Sequence, residues 1–155
     1  MNNTSFHPII EIKAQFLDGA EPFYATPLSS GADLVALLQS SFFLSPHERV
    51  LVPTGLVLDI PPGYEAQIRS RSGLALRYGI VCLNSPGTID ADYRGEVQVI
   101  LANLGSEDVE ISPGMRIAQI VFAPIVQAQF TIGDLSASER GTGGFGSTGL
   151  IGKDV

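Results

Sequence analysis

Apolar residues recur along the chain in short runs, and turn-forming residues separate these runs at a spacing of roughly 8–12 residues, which is typical of all-β proteins. The runs occupy residues 11–17, 50–52, 56–60, 64–69, 97–101, 109–111, 118–125 and 126–132. Turn sequences such as Asp18-Gly19, residues 53–55 (Pro-Thr-Gly) and residues 112–114 (Ser-Pro-Gly) lie between them. We therefore predict a strand in each run, assembled into an all-β sandwich or barrel.

Helical patterns are scarce. Residues 72–78 have the length of two turns, with Ser72 as the predicted N-cap and Gly79 as the stop. Residues 32–38 also have some helical propensity, which Gly31 and the short length of the run reduce. The pattern predicts one short helix.

Composition and charge narrow the range of functions. The 155 residues suit a single domain, and 45% of them are hydrophobic, with a mean hydropathy of +0.24. Such an apolar chain either has a large core or hides apolar surface in an oligomer interface. The net charge of −7 argues against a general nucleic-acid binder, which neutralises phosphates with clustered lysine and arginine.

The single cysteine and the two histidines suggest no metal or nucleophile site. Cys82 has no partner for an intrachain disulfide, and its apolar neighbours favour a packed core thiol in a reducing compartment. His7 and His47 lack metal-ligand spacing. Residues 1–8 do not resemble a secretory signal, and no apolar run has the length of a membrane span. We expect a cytoplasmic protein that does not associate with membranes.

The end of the chain differs from the rest. Six glycines stand in the twelve residues 141–152, and such a segment is usually a frayed tail, but Phe145 is an aromatic residue among the glycines. We divide the chain into a β core at residues 1–135 and a flexible arm at residues 136–155. Residues 141–146 fit the G-x-G-x-x-G pattern, yet no strand and helix flank them, and Ser147 stands where a P-loop needs lysine.

Five segments combine tight turns with polar groups: residues 30–36, 71–75, 84–96, 114–122 and 140–149. In the first, Asp33 stands alone among apolar residues and needs a partner. In the second, Ser72 and the free N–H groups of the helix start form an anion site together with Arg71. The third is predicted to be a hairpin, and an extended chain would place Asp90 and Asp92 on one face.

These five segments, in this order and spacing, resemble the trimeric dUTPase family over residues 30–149. The most specific parts are residues 71–75 (Arg-Ser-Gly-Leu-Ala), 87–93 (Gly-Thr-Ile-Asp-Ala-Asp-Tyr) and 140–149 (Arg-Gly-Thr-Gly-Gly-Phe-Gly-Ser-Thr-Gly). The resemblance implies a distorted jelly-roll-like β-barrel or sandwich, of the β-clip type, with one short helix. It also implies a homotrimer in which the arm of one subunit closes over a site formed by the others. The implied reaction is hydrolysis of dUTP to dUMP and pyrophosphate, which supplies dUMP for thymidylate synthesis and keeps uracil out of DNA.

The same resemblance implies the site residues. Asp90 matches the general base, which activates the water that attacks the α-phosphorus. Tyr93 matches the ring under the deoxyribose, where it leaves no room for a 2′-hydroxyl. The groups that recognise uracil match Asn84, Gly87, Thr88 and Ile89.

The remaining implied contacts concern the triphosphate and its metal ion. The phosphate-binding set matches Arg71, Ser72, Gly73 and Gln119, and the contacts from the arm match Arg140, Gly146, Ser147 and Thr148. Phe145 matches a ring that stacks on uracil, and Gln98 stands at a position of suggested substrate contact. Mg²⁺ is held chiefly by phosphate oxygens, and Asp33 assists through coordinated water.

Departures and alternatives accompany this interpretation. Ser70 replaces a common proline, Gln98 a common Lys or Met, and Thr142 a residue that is often acidic. A dCTP deaminase shares the fold but needs a catalytic glutamate. A protein that senses dUTP without hydrolysing it, and a purely structural β-trimer, are the two further alternatives.

Overall fold

The computed structural model describes residues 9–144, which form eleven strands and one short helix. In chain order the elements are β1 (Lys13–Phe16), β2 (Phe23–Tyr24), β3 (Ala32–Val35), β4 (Phe42–Leu44), β5 (Arg49–Asp59), β6 (Tyr64–Ser70), α1 (Ser72–Tyr78), β7 (Ile80–Cys82), β8 (Gly87–Ile89), β9 (Glu96–Asn103), β10 (Val109–Ile111) and β11 (Arg116–Pro124). The prediction of an all-β chain with one short helix is confirmed.

The strands form two main antiparallel sheets and one strand pair. The four-stranded sheet has the order β1-β5-β9-β7, the five-stranded sheet has the order β2-β3-β11-β6-β8, and β10 pairs with β4. In the residues described, both main sheets remain open, so the arrangement is a sandwich and not a closed barrel.

Alternate residues of the long strands face the core. Val97, Val99 and Leu101 of β9 are almost completely buried, as are Ile68 of β6 and Ile120 of β11. This period of two is the strand pattern read in the sequence. Burying a large aliphatic side chain contributes about 1.5–3 kcal/mol, so these layers hold the two sheets together.

The predicted turn at residues 53–55 is wrong. β5 runs without a break from Arg49 to Asp59, and its register against β9 shifts between Pro53 and Leu56. The extra residues form a bulge, where Gly55 has a φ of 69° and Thr54 bonds through its hydroxyl to the carbonyl oxygen of Val97. Proline and glycine mark a bulge here because the neighbouring strand continues across it.

The one predicted helix forms, and the second segment with helical propensity is a strand. The helix at residues 72–78 is confirmed, and it ends at Gly79, which has a left-handed φ of 69°. A Cβ at Gly79 would overlap the backbone of Gly105. The N-cap, however, is Arg71 and not Ser72, and it makes no side-chain capping bond. Residues 32–35 form strand β3, because pairing with β2 and β11 overrides local helical propensity.

The strand predicted at residues 126–132 does not form within this chain. β11 ends at Pro124, and the residues that follow pair with no strand of the described chain. Val126 and Phe130 are 97% and 95% exposed. Alternating apolar residues make a strand only when an edge is available to pair with, and residues 9–144 offer no such edge at that place.

Two further features bear on the predictions. Cys82 is buried in β7, as expected for a core thiol, and burial raises the pKa of its thiol. Within residues 9–144, no helix has both the length and the apolar character that crossing a membrane requires.

Candidate active site

Asp33 lies at the centre of a charged cluster on the five-stranded sheet. Its side chain is 2% exposed, and its Oδ1 accepts hydrogen bonds from Arg71 Nε (3.1 Å) and Gln119 Nε2 (3.2 Å). Its Oδ2 accepts from Arg116 Nη1 (3.1 Å). We call these four residues the Asp33 cluster. The sequence indicated that this carboxylate needs a partner, and the structure supplies three: two arginines and an amide.

Strand register explains why the Asp33 cluster forms. Asp33 of β3 faces Gln119 of β11 directly across the sheet, so the two side chains share a face. Arg71 follows the last residue of β6, which pairs with β11 on its other side. Arg71 also donates through Nη1 to the carbonyl oxygen of Arg116 (3.1 Å), which fixes its guanidinium plane.

The start of helix α1 lies beside this cluster. Ser72 and Gly73 are exposed, whereas Leu74 is buried and anchors the helix. A Cβ at Gly73 would meet no atom within 4 Å, so the backbone there is open to an approaching group. Ser70, one of the three departures noted in the sequence, accepts a hydrogen bond from the backbone N–H of Cys82 (2.8 Å) and so joins β6 to β7.

The segment around Asp90 is a link between the two sheets, and the predicted hairpin is wrong. β8 (Gly87–Ile89) pairs with β6 of the five-stranded sheet, whereas β9 belongs to the other sheet. Residues 90–93 form a turn closed by the N–H of Tyr93 and the carbonyl oxygen of Asp90 (3.1 Å). The chain is therefore not extended at Asp90 and Asp92, although both carboxylates are exposed. We call residues 90–93 the Asp90 turn.

The predicted uracil-binding residues lie immediately before this turn. Gly87 is buried, and a Cβ on it would lie 3.1 Å from Nδ2 of Asn84, so glycine allows the Asn84 amide to lie close to the backbone. Gly87, Thr88 and Ile89 form β8, whose register with β6 holds them in place.

Tyr93 and Gln98 meet around Glu96. The Tyr93 hydroxyl donates to the carbonyl oxygen of Glu96 (3.1 Å), and a Cβ on Gly95 would overlap the Tyr93 ring. The Gln98 amide lies 3.4 Å from Glu96 Oε2, and Glu96 Oε1 accepts from the N–H of Gly55 (2.7 Å). Tyr93, Asn84, β8 and Asp90 therefore occupy one region, with Gln98 close by.

The Asp33 cluster and the Asp90 turn lie at opposite corners of the five-stranded sheet. Asp33 is in register with Gln119 and, across β11, with Arg69, whereas Asp90 follows Ile89, which faces Ala66 on β6. Three strand spacings and about four residues along the strand separate the two carboxylates, which corresponds to roughly 20 Å. One chain therefore contains two separate halves of the predicted site.

Part of the predicted arm lies within the described residues. Arg140 is exposed, and its Nε donates to the carbonyl oxygen of Gly143 (2.8 Å). The predicted contacts at Phe145, Gly146, Ser147 and Thr148 lie outside the described residues.

Two interactions were not predicted from the sequence. In the sequence, Arg116 is a charged residue embedded among apolar neighbours, and the structure makes it an ion-pair partner of Asp33. Arg94 pairs with Asp59 (2.5 Å), which stands 35 positions earlier on the other sheet. The apolar residues around Arg116 hint at the first interaction, but no local pattern points to the second.

Metal ligation by protein groups alone is not evident. No three His, Cys, Asp or Glu side chains come together in a metal-binding group anywhere in residues 9–144. An ionised carboxylate has about four acceptor sites, and three of those on Asp33 are used. One acceptor site on Asp33 therefore remains, and it lies beside two arginine cations, which disfavour a metal ion bound directly to this carboxylate.

Comparisons with known proteins agree on one family. The family profile described as dUTPase matches residues 19–149. A deoxyuridine 5′-triphosphate nucleotidohydrolase of Chlamydia muridarum is 56% identical over 130 residues, covering 83% of this chain and 90% of the relative. The enzyme of that name from Roseobacter denitrificans is 55% identical over 148 residues, covering 91% of this chain and 97% of the relative.

Solved structures extend the likeness to the fold. A dUTPase of Staphylococcus bacteriophage 80alpha, solved with dUPNHPP, superposes with a TM-score of 0.81 at 25% identity and covers 90% of this chain and 99% of that chain. A mutant dUTPase of phage phi11 of S. aureus, described with a structural Mg(II) ion, gives a TM-score of 0.73 at 20% identity. The match covers 83% of this chain and 100% of that chain. The predicted jelly-roll-like β-clip fold is confirmed.

Proposed function

Because this chain belongs to the dUTPase family and is a dUTP diphosphatase, we propose that it cleaves dUTP by attack of an Asp90-activated water on the α-phosphorus. The products are dUMP, which serves thymidylate synthesis, and pyrophosphate, and removal of dUTP keeps uracil out of DNA. The active site is assembled from more than one subunit. The observation that carries this proposal is the separation of the Asp33 cluster from the Asp90 turn within one chain.

The position of Asp90 supports its role as the base. Its carboxylate is exposed, and it begins a turn of fixed shape that follows strand β8. A carboxylate is a weak base unless it is held within hydrogen-bond distance of the water that it deprotonates. Phosphoryl transfer depends mainly on positioning and on stabilisation of charge, and a fixed turn supplies the first of these.

Selection of the deoxynucleoside rests on the residues around the same turn. The hydroxyl of Tyr93 is bound to Glu96, so the ring presents a fixed face to the sugar, and this face leaves no space for a 2′-hydroxyl. The Asn84 amide and the backbone of β8 pair with uracil. Their close packing excludes the methyl group of thymine, and mismatched donors and acceptors reject cytosine.

The triphosphate binds at the Asp33 cluster of another subunit. Arg71 uses Nε and Nη1 within the protein, which leaves Nη2 to face a phosphate oxygen. Exposed Ser72, the open backbone at Gly73 and the Gln119 amide add further donors. Arg140, Phe145, Gly146, Ser147 and Thr148 of the arm then close over the nucleotide and exclude water.

A magnesium ion accompanies the triphosphate in this proposal. Mg²⁺ bound mainly by phosphate oxygens would neutralise their charge, and Asp33 would contact it through water. The main role of Asp33 in this chain is to orient Arg71, Arg116 and Gln119.

A homotrimer accounts for the unpaired end of the chain. Val126, Phe130 and Ile132 are exposed in one chain, although their alternation predicts a strand. A sheet edge of a neighbouring subunit would pair with this segment and cover its apolar face. The segment also leads directly to the arm, so its pairing with the neighbouring subunit brings the arm to the site on that subunit.

The reaction is tested by measuring pyrophosphate release from dUTP, dCTP, TTP and UTP in the presence of Mg²⁺. We expect rapid release from dUTP alone. Deamination of dCTP would identify a dCTP deaminase, and saturable dUTP binding without pyrophosphate would identify a sensor protein. The absence of any nucleotide binding would leave only a structural role.

A further inference from the structure

The side chain of Arg94 binds two backbone carbonyl groups of the Asp90 turn. Its Nη1 donates to the carbonyl oxygens of Ala91 (2.6 Å) and Tyr93 (3.0 Å). The backbone bond from Tyr93 to Asp90 closes the same turn. One guanidinium nitrogen therefore fixes two of the peptide groups that follow Asp90.

Asp59 fixes the opposite side of that guanidinium. Its Oδ1 accepts from Arg94 Nη2 at 2.5 Å. Asp59 is the last residue of β5 in the four-stranded sheet, whereas the Asp90 turn follows β8 in the five-stranded sheet. A planar guanidinium can meet a carboxylate on one side and carbonyl groups on the other. The pair thereby links the turn to the second sheet.

Stability does not explain this arrangement. The side chains of Arg94 and Asp59 are 52% and 49% exposed, and water screens such a pair so strongly that it adds little to the free energy of unfolding. The other side-chain anchor of the turn in the described chain is the Tyr93 hydroxyl, since the carboxylates of Asp90 and Asp92 form no ion pair there. The bonds of Arg94 and Asp59 therefore restrict the position of the turn more than they stabilise the fold.

We propose that Arg94 and Asp59 are positioning residues for the hydrolysis, because they hold the turn at the angle at which the Asp90 carboxylate meets the attacking water. This inference rests on the proposed role of Asp90. Both residues act through the backbone of the turn and touch neither the water nor the nucleotide. A misplacement of 1 Å at a reacting centre lowers a rate by up to about 100-fold, so a small tilt of the turn has a large effect on kcat.

The test compares full-length Arg94→Ala, Asp59→Ala and the double variant in steady-state dUTP hydrolysis. We expect kcat to fall about 10-fold or more in Arg94→Ala, with a smaller change in KM. Asp59→Ala should lose less, because Arg94 keeps its carbonyl bonds, and the double variant should match Arg94→Ala. Arg94→Lys should recover only part of kcat, since one ammonium cannot reach both carbonyls and the carboxylate. The matched control is Arg49→Ala, an exposed arginine at the other end of β5.

A second comparison uses an Asp90→Asn background. If Arg94 acts through Asp90, adding Arg94→Ala to Asp90→Asn lowers the residual rate very little, whereas independent, multiplicative losses contradict the inference. Wild-type kcat in both Arg94→Ala and Asp59→Ala also contradicts it. Asp59→Ala changes an exposed residue at a strand end and keeps the test valid if Arg94→Ala folds poorly. If Asp90→Asn keeps wild-type turnover, both the role of Asp90 as the base and the positioning role of Arg94 and Asp59 are wrong. If Asp90→Asn loses turnover but the Arg94 and Asp59 variants keep it, only the positioning role is wrong.

Discussion

Asp33 and Gln119 face each other across β3 and β11, and the Gln119 amide donates to Asp33 Oδ1 over 3.2 Å. The same carboxylate binds Arg71 and Arg116, so a single buried charge orients three groups from two separate segments, the residue after β6 and strand β11. We expect Asp33→Asn to lower the free energy of unfolding by about 1–3 kcal/mol, because it leaves two partly exposed arginines without their counter-charge. Urea unfolding at one protein concentration measures the loss, with the exposed Asp108→Asn as control. An equal change in the two variants would contradict a structural role for Asp33.

The proposed base is tested by Asp90→Asn. Asparagine keeps the size of the side chain and removes its ability to take a proton, so we expect turnover to fall by at least about 100-fold while most of the affinity for dUTP remains. Pyrophosphate release gives the rate, and calorimetric titration with a non-hydrolysable dUTP analogue gives the affinity. Turnover close to that of the wild-type protein would exclude Asp90 as the base.

Sharing of the active site is tested by mixing two inactive variants. Arg71→Ala damages the Asp33 cluster, whereas Asp90→Asn damages the turn, and each variant alone should be nearly inactive. After the two are unfolded together and refolded, about a quarter of the sites combine an intact half from each chain, so activity should reappear. Unmixed samples refolded in the same way are the controls. No recovery in samples confirmed to contain mixed oligomers would mean that both halves come from one chain.

Truncation after Leu135 tests the arm. The described β sandwich ends at Pro124, so the shortened chain should fold and assemble as the full chain does. We expect little turnover because the groups that exclude water from the triphosphate are lost. Sedimentation and the thermal midpoint check assembly, and dUTP hydrolysis checks activity. Full activity in the truncated protein would contradict closure by the arm.

The Cys82 thiol gives a prediction for alkaline pH. Burial raises its pKa in the folded state, so the unfolded chain loses this proton first as the pH rises. The contribution is fully present below the pKa of the unfolded thiol, about 8.5, and is lost as the pH increases from there through the higher folded pKa. Unfolding free energies between pH 7 and 10 should therefore decline more in the wild-type protein than in Cys82→Ala. Equal slopes, or rapid labelling of the native thiol by a disulfide reagent, would contradict this shift.

The local pattern predicted six of the eleven strands of the described chain (β1, β5, β6, β9, β10 and β11) and the helix, and it failed at several places where pairing decided the outcome. Residues 72–78 form the predicted helix because Gly79 stops it with a backbone angle that glycine tolerates. Residues 53–55 have the composition of a turn, yet they form a bulge because β9 continues beside them. Residues 126–132 alternate as a strand does, but nothing within the described chain pairs with them. In each failure the missing information was the neighbouring strand.

By itself, the sequence determined the family and the activity and predicted the residues of the site, because the motifs around Arg71, Asp90 and Arg140 are contiguous and their spacing is specific. Only the tertiary structure decided which groups meet. It brought Arg71, Arg116 and Gln119 to Asp33 and paired Arg94 with Asp59. It also separated the Asp33 cluster from the Asp90 turn by roughly 20 Å. The physical reason is that strand order and register are fixed by long-range burial and backbone pairing, which local sequence does not encode.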